Sequence, residues 1–401
     1  MRAADRERIR LLSAAAYAGM LVFGVVMALI GAILPPLAGR LAFDVGDIGT
    51  LFLVMNGAML VTSLVIGLAM DRFGMKPPLA IGCLLVAAAL VTIARAGAFA
   101  DLIPAVLLLG IGGSGLNGST NTLVADLHDD PQRKGAALNV LGIFFGFGAL
   151  LLPFAVGALL ARFSIGALLL AAGVLCAAAG VFAGTLRFPA AKQSQRMPVA
   201  EVPRFLRHAL VLALAFLLFC ESGVEFTVGG FVSTYLTREM GTSVSLASMV
   251  LAAYWGAIMV ARIALSRYAA GVDPFRVLTF SATGALAGAA IAGAASGPGF
   301  VGIGITVIGA SLAGIYPAVL AIAGTRFRSH SGTVFGILFA IALAGGMSVP
   351  WVAGQIAAAA GLRSIFGVVI VAYALVIVLS RVAHRRSRDH QWIRGDQEIR
   401  S

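Results

Sequence analysis

GALLLPFAVG, Gly148–Gly157, and GGMSVPWVAG, Gly345–Gly354, carry one pattern 197 residues apart: glycine, four residues, proline, three residues, glycine. The match extends beyond these stretches. Gly112 and Gly135 recur as Gly309 and Gly332 at the same offset, and Arg72 and Arg267, each closing an apolar run, stand 195 residues apart. An ordered set of this length reads as two related halves arranged in parallel. Proline and glycine in the middle of an apolar run would break a helix in water. In lipid such helices persist, because neighbouring helices satisfy the freed backbone groups.

Working outward, the whole chain has lipid as its solvent. Of 401 residues 60% are hydrophobic and 11% charged, and the mean hydropathy is +0.99, beyond what a soluble domain with a polar surface sustains. A bilayer core takes about 20 apolar residues per helical span. The apolar runs predict spans near 11–34, 49–70, 79–97, 102–126, 136–161 and 164–186, then 208–236, 245–266, 276–295, 299–325, 332–358 and 362–383. The expected fold is therefore all-α and integral to the membrane, with twelve transmembrane helices in two pseudo-symmetric six-helix bundles. A barrel is excluded, since it requires short alternating segments rather than continuous runs. The bundles are expected over 1–186 and 208–383, joined by a polar cytoplasmic linker over 187–207 and followed by a cytoplasmic tail over 384–401. The basic start precedes a run too long for a signal-peptide core and reads as the first span.

Charge placement orients the chain. Of its 29 Lys and Arg, five (Arg40, Arg95, Arg162, Arg238 and Arg363) fall on one side of the proposed spans and Arg262 falls inside one. All the others lie on the side holding both termini, which the positive-inside rule makes cytoplasmic. The net charge of +12 is thus a topological signature, not a nucleic-acid surface. Arg385, Arg386 and Arg388 can also meet anionic lipid headgroups. Cys83, Cys176 and Cys220 stand singly in apolar runs without metal-ligand spacing. No phosphate-cradling loop, metal cluster or nucleophile pattern points to an enzyme or a cofactor.

The loop after the second span reads GLAMDRFGMK, Gly67–Lys76. Gly, three residues, Asp, Arg, x, Gly, x, Lys/Arg is the loop pattern of the major facilitator superfamily, which the chain resembles through Gly67, Asp71, Arg72, Gly74 and Lys76. The resemblance implies that these residues steady one conformation of a transport cycle. Gly67 is expected to allow close helix approach, and Asp71 to meet a neighbouring helix N-terminus or a base. GIGGSGLNGSTNTLVADL (Gly110–Leu127), LNVLGIFFGFGALLLP (Leu138–Pro153), GVEFTVGGFVSTYL (Gly223–Leu236) and the stretch Tyr316–Gly354 further resemble the fucose/galactose/glucose proton symporter branch. Symporters of that branch can carry an embedded Asp in span one and a Glu in span four. Here span one has no ionisable residue but Tyr17, and Asn117 stands where the Glu is expected.

The acids left deep in a span are Glu221 and Glu225, one helical turn apart on a shared face. In a low dielectric two such carboxylates disfavour joint ionisation, so one is available to exchange a proton. Structural hydrogen bonding to the backbone is the alternative for each. Arg262 is the one intramembrane base. Counted from the helix ends at about 1.5 Å per residue, Glu221 lies about 20 Å in and Arg262 about 6 Å in, too far apart for direct contact. Arg262 reads as a gate or packing charge on the cytoplasmic side, or as a snorkelling side chain. Asn117, Asn121, Tyr254 and Trp255, with Asn56, Tyr316 and Gln355 from other spans, suit a hydroxylated ligand, with interhelical bonding and ordinary packing as the alternatives. The expected function is secondary active transport of a small sugar-like solute by a monomer in the bacterial inner membrane, with protons as a coupling partner. Efflux of amphipathic compounds and a non-transporting sensor are the competing readings.

Overall fold

The computed structural model describes residues 3–128, 130–189, 201–268 and 271–388. The polar centre of the expected linker and most of the expected tail lie outside these residues. Among the described residues twelve helical segments are long and apolar enough to cross a membrane, the tenth running over Pro298–Arg326. The first bundle holds α1 (Ala3–Leu37), α2 (Val45–Phe73), α3 (Lys76–Arg95), α4 (Leu102–Asp126), α5 (Pro131–Leu159) and α6 (Ile165–Thr185). A short α7 (Val202–Phe205) precedes α8 (Ala209–Arg238), α9 (Val244–Tyr268), α10 (Pro274–Ala294), α11 (Pro298–Leu312), α12 (Ile315–Arg326), α13 (Ser331–Ala360) and α14 (Ile365–Arg388).

Helix starts follow the local sequence. Asp130 accepts from the Arg133 amide at 2.9 Å with Pro131 at the first helical position, and Ser164 accepts from Ala167 at 3.2 Å, which satisfies amides a helix start leaves open. The expected tenth span is broken at Ala313–Gly314 into α11 and α12. Pro317 explains the break, since it lacks the N–H that would bond the Ala313 carbonyl. The next amide, Ala318, closes the new turn on Gly314 at 3.1 Å.

The halves are packing repeats as well as sequence repeats. A Cβ on Gly148 would lie 2.0 Å from the Leu21 carbonyl oxygen of α1, and one on Gly345 would lie 2.1 Å from the Phe219 carbonyl oxygen of α8. Gly157 meets the start of α9 at Ser245, as Gly354 meets the start of α2 at Gly46 and Gly49. Gly112 and Gly309 depart from the symmetry: the first presses on Gly82 of α3, the second on Tyr254 of α9. The central helices α1 and α8 are the most enclosed, with 83% and 78% of their apolar stretches buried.

Between bundles, α2 packs on α13, α5 on α9, and α1 crosses α8. These contacts cluster in the half of the molecule away from the chain termini, the far half. There Gly49 abuts Pro350 and Trp351, Gly157 abuts Met249 and Ser245, and Gly31 abuts the Gly229 carbonyl. Ser245 donates its hydroxyl to the Gly157 carbonyl. Arg238 donates to the Phe43 carbonyl at 3.2 Å and covers the Phe43 ring at 4.7 Å.

Toward the termini the helices part. Gly67 lies on the same stripe of α2 as Gly49, five turns along at about 3.6 residues per turn, yet nothing stands within 4 Å of where its Cβ would be. Gly135, Gly146 and Gly157 likewise recur every 11 residues along α5. Gly157 and Gly146 touch α9 while Gly135 is open, and so is its repeat mate Gly332 on α13. The expectation that Gly67 permits close helix approach is thus not met in this conformation, because α13 has diverged from α2 before reaching it. The molecule is closed in its far half and splayed in its terminus half.

Candidate functional site

Three contacts fix the register of the antiparallel pair α8 and α9. Ser233 donates to the Ala247 carbonyl at 3.4 Å, Tyr254 donates its hydroxyl to the Glu225 carbonyl at 3.3 Å, and Trp255 lies against Gly229. Continuing that register two turns past Trp255 brings Arg262 level with Leu218–Ser222. The depth expected for Arg262 relative to Glu221 is therefore corrected. Helix ends are a poor ruler here, because α8 and α9 do not end at the same level in the terminus half.

Both acids are enclosed: Glu221 is 1% exposed and Glu225 9%. Glu221 Oε2 is buried without a hydrogen-bond partner, and so is Arg262 Nε. Among the described residues no ion pair joins Arg262 to either carboxyl within 4 Å, although both carboxyls lie within reach of its charge. Tyr254, Tyr316 from α12 and Tyr373 from α14 all lie within the electrostatic reach of the two acids, and the Tyr373 hydroxyl is also buried and unpaired. An unbalanced charge in such an interior costs several kcal/mol, so at most one of the two carboxyls is readily ionised beside a single guanidinium.

Tyr254 and Trp255 are fully buried, at 0% and 1% exposure. They belong to an aromatic layer on the far side of the acids. Trp255 meets Phe145 edge-on with ring centres 6.4 Å apart, and Phe145 packs on Phe23 at 5.6 Å. Phe226 meets Phe52 across the bundles at 5.5 Å. The Trp255 indole N–H is buried without a partner. Asn56 is buried in the same layer, donating to Phe52 within α2 at 3.2 Å and across the bundles to the Gly346 carbonyl at 3.1 Å. It pins the bundles together rather than facing the gap between them.

Asn117 and Asn121 face each other along α4, the Asn121 amide donating to the Asn117 carbonyl oxygens at 2.9 and 3.0 Å. Asn117 is exposed and follows by one turn Gly113, which contacts α1 and α2 through Phe23, Val26 and Met59. Tyr316 stacks on Phe339 at 6.0 Å, beside the break between α11 and α12. Gln355 lies against Gly46 at the far end of the α2–α13 contact, remote from the acids. In the loop motif, Gly74 caps α2 with φ +79° and its amide bonds Met70 at 2.8 Å. Arg72 lies over the adjacent Phe73 ring at 5.3 Å. Asp71 and Lys76 make no hydrogen bond or ion pair among the described residues. Sequence reasoning missed the Gly31–Gly229 crossing and the contributions of Phe52, Phe145, Phe226 and Tyr373, none of which carries a local signal. Among the described residues no group of His, Cys, Asp and Glu is arranged to hold a metal ion.

The family model described as Major Facilitator Superfamily matches residues 16–269 and 214–399. Protein TsgA homolog of Erwinia tasmaniensis is 27% identical over 281 residues, 69% of each chain. The fold is similar to those of nucleoside transporter NupG (TM-score 0.76, 15% identity, 94% of this chain and 99% of that one) and of a D-xylose-proton symporter (0.75, 13%, 94% and 97%). It is also similar to the E. coli fucose:proton symporter FucP (0.65, 17%, 94% and 99%). At these identities the likeness to solved structures is one of fold, spread over several branches.

Proposed function

This chain belongs to the Major Facilitator Superfamily, and from that membership we propose that it carries a small hydroxylated, sugar-like solute by alternating access, coupled to protons through Glu225 and Glu221. Membership itself gives the coarser statement: a multi-pass secondary transporter for a small solute, a transport fold and not an enzyme. The finer reading rests above all on two enclosed carboxyls on one face of α8, where the bundles begin to part. Asn117 and Asn121 supply amides suited to hydroxyls, and Tyr254 and Trp255 form the floor beyond which the far half is sealed. That solved neighbours of this fold include xylose and fucose proton symporters and a nucleoside transporter supports a hydroxylated cargo.

The same reading takes 1–186 and 208–383 as the two moving bodies of a monomer, joined by the linker 187–207. With the tail 384–401 and both termini cytoplasmic in a bacterial inner membrane, the conformation described is open inward. Gly67, Asp71, Arg72, Gly74 and Lys76 are then disengaged, and they engage the start of α13 when the cytoplasmic half closes. Arg262, at the level of Glu221, acts within the site and not at the cytoplasmic gate. A thermal-shift screen of sugars, polyols and nucleosides on purified protein, followed by proteoliposome uptake of each hit with and without a pH gradient, tests the proposal. Glu225→Gln should remove the pH dependence of uptake, and an unchanged dependence sinks the proton role. Efflux of amphipathic compounds is the second reading, favoured by the aromatic layer and by Met59, Met249, Met259 and Met347, which pack on glycines of the first bundle. Extrusion of dyes without sugar uptake would select it.

A further inference from the structure

The interior of the first bundle offers amides and hydroxyls, whereas the second holds two carboxyls and one guanidinium. Register brings Arg262 level with Glu221, while Glu225 lies one turn deeper, where Tyr254 donates to its backbone carbonyl. Glu221 and Arg262 each bury a polar atom without a partner, and the two residues stand at one level of adjacent helices by the register of Ser233 with Ala247 and of Glu225 with Tyr254. We propose that Glu221 and Arg262 are counter-charges of a single site, leaving Glu225 as the carboxyl that takes up and gives back one proton per cycle. The pairing of Glu221 with Arg262 rests on helix register, the two unpartnered atoms and charge balance, independently of transport, and the proton on Glu225 rests on the coupled-transport reading above.

Charge balance carries the argument. Two buried carboxyls and one half-buried guanidinium, whose Nε is enclosed, leave the site one positive charge short when all are ionised, and a low-dielectric interior tolerates that poorly. Arg262 can neutralise one acid, and the one on its level is Glu221. The remaining deficit equals one proton. Other groups close to the acids are Tyr254 from α9, Tyr316 from α12, Tyr373 from α14 and Cys220 from α8 itself, none of which supplies a positive charge. The facing helix α13 contains no ionisable side chain. Glu225 also has the greater exposure of the two acids, as a group that must reach water in part of the cycle requires.

The test uses the full-length protein in detergent and compares Arg262→Met, Glu221→Gln, Glu221→Gln/Arg262→Met and Glu225→Gln/Arg262→Met by thermal melting. Arg262→Met is expected to lower the melting midpoint by roughly 5 °C or more, and the double variant with Glu221→Gln to regain at least about half of that loss. The double variant with Glu225→Gln should regain less. Equal rescue by both doubles, rescue by neither, or an unaffected Arg262→Met overturns the pairing. Where Arg262→Met does not survive extraction, the yield of monodisperse fluorescent fusion protein is read in the same way. Separately, the pH dependence of the wild-type midpoint should flatten in Glu225→Gln and persist in Glu221→Gln/Arg262→Met; the reverse overturns the assignment of the proton. Intact rescue with solute uptake indifferent to a pH gradient would refute coupled transport while leaving the counter-charge pair standing.

Discussion

Gly31→Ala tests whether the far-half closure is a state of the molecule with a defined energy. In the closed crossing of α1 over α8, the added methyl would sit 1.8 Å from the Gly229 carbonyl oxygen and 2.9 Å from its carbon. An ordinary carbon–oxygen contact needs about 3.3 Å, so the helices must separate by about 1.5 Å where Gly230 also packs on Phe52. The obstacle is backbone within a helix and cannot rotate away. Overpacking of this kind costs about 1–3 kcal/mol, and only in the conformation that closes the crossing. That cost corresponds to a shift of about 5–150-fold in the population ratio, toward the conformation open in the far half. Spin labels at Asp44→Cys and Ser243→Cys, in a background with Cys83, Cys176 and Cys220 replaced by serine, should report a longer far-half distance in Gly31→Ala than in the parent. Gly39→Ala is the control, since nothing lies within 4 Å of its Cβ position. An unchanged distance distribution in Gly31→Ala would refute the reasoning, because it would mean that this crossing does not limit closure.

Other perturbations follow from the same contacts. Asn56→Ala removes the bond to Gly346 and should weaken the closed far half by about 0.5–1.5 kcal/mol, read as a smaller lengthening with the same labels. Gly148→Ala and Gly345→Ala act within bundles, each against a carbonyl about 2 Å away, and should lower the melting midpoint by similar amounts through about 1–3 kcal/mol of overpacking. A large effect in one half and none in the other would contradict the packing repeat. His208, just before α8, meets the Phe327 ring edge-on at 5.2 Å. Burial, helped by the charges of Arg326 and Arg204, pushes its imidazole below the ordinary range. The fold therefore favours the neutral form. Its stabilising contribution is whole above about pH 6.5 and is lost as pH falls through the folded value. Melting at pH 7.5 and 5.5 should show this loss in the parent and a smaller one in His208→Gln.

Length, hydropathy and the glycine–proline repeat made the fold legible, because in lipid each span must satisfy its own backbone and so declares itself as a long apolar run. What hydropathy does not encode is how helices lean. Arg262 and Glu221 are level because α8 and α9 do not end together, and a count from helix ends cannot see that. Pro317 was readable as a breaker in principle, yet the apolar run passes straight through it, and apolarity sets the span while backbone bonding sets the break. Asn56 read as a ligand group because its chemistry permits that. Only the approach of Gly346 from the other bundle, 290 positions away, reveals a pin. Glu221 and Glu225 were legible by chemistry, since two acids in an apolar helix stand out wherever the helix leans.

The stripes of glycine along α2, α5 and α13, together with Gly31 on α1, have a genetic consequence. A bulky residue at Gly31 or Gly49 obstructs one arrangement of the bundles, whereas one at Gly67, Gly135 or Gly332 meets nothing in that arrangement and obstructs only its opposite. Lesions in the far half and in the terminus half therefore bias the cycle in opposing senses. A Gly67→Leu change should act as a second-site suppressor of Gly31→Ala, restoring turnover by penalising both end states alike although the two residues share no neighbour. A selection for revertants would then sort positions by the conformation they serve.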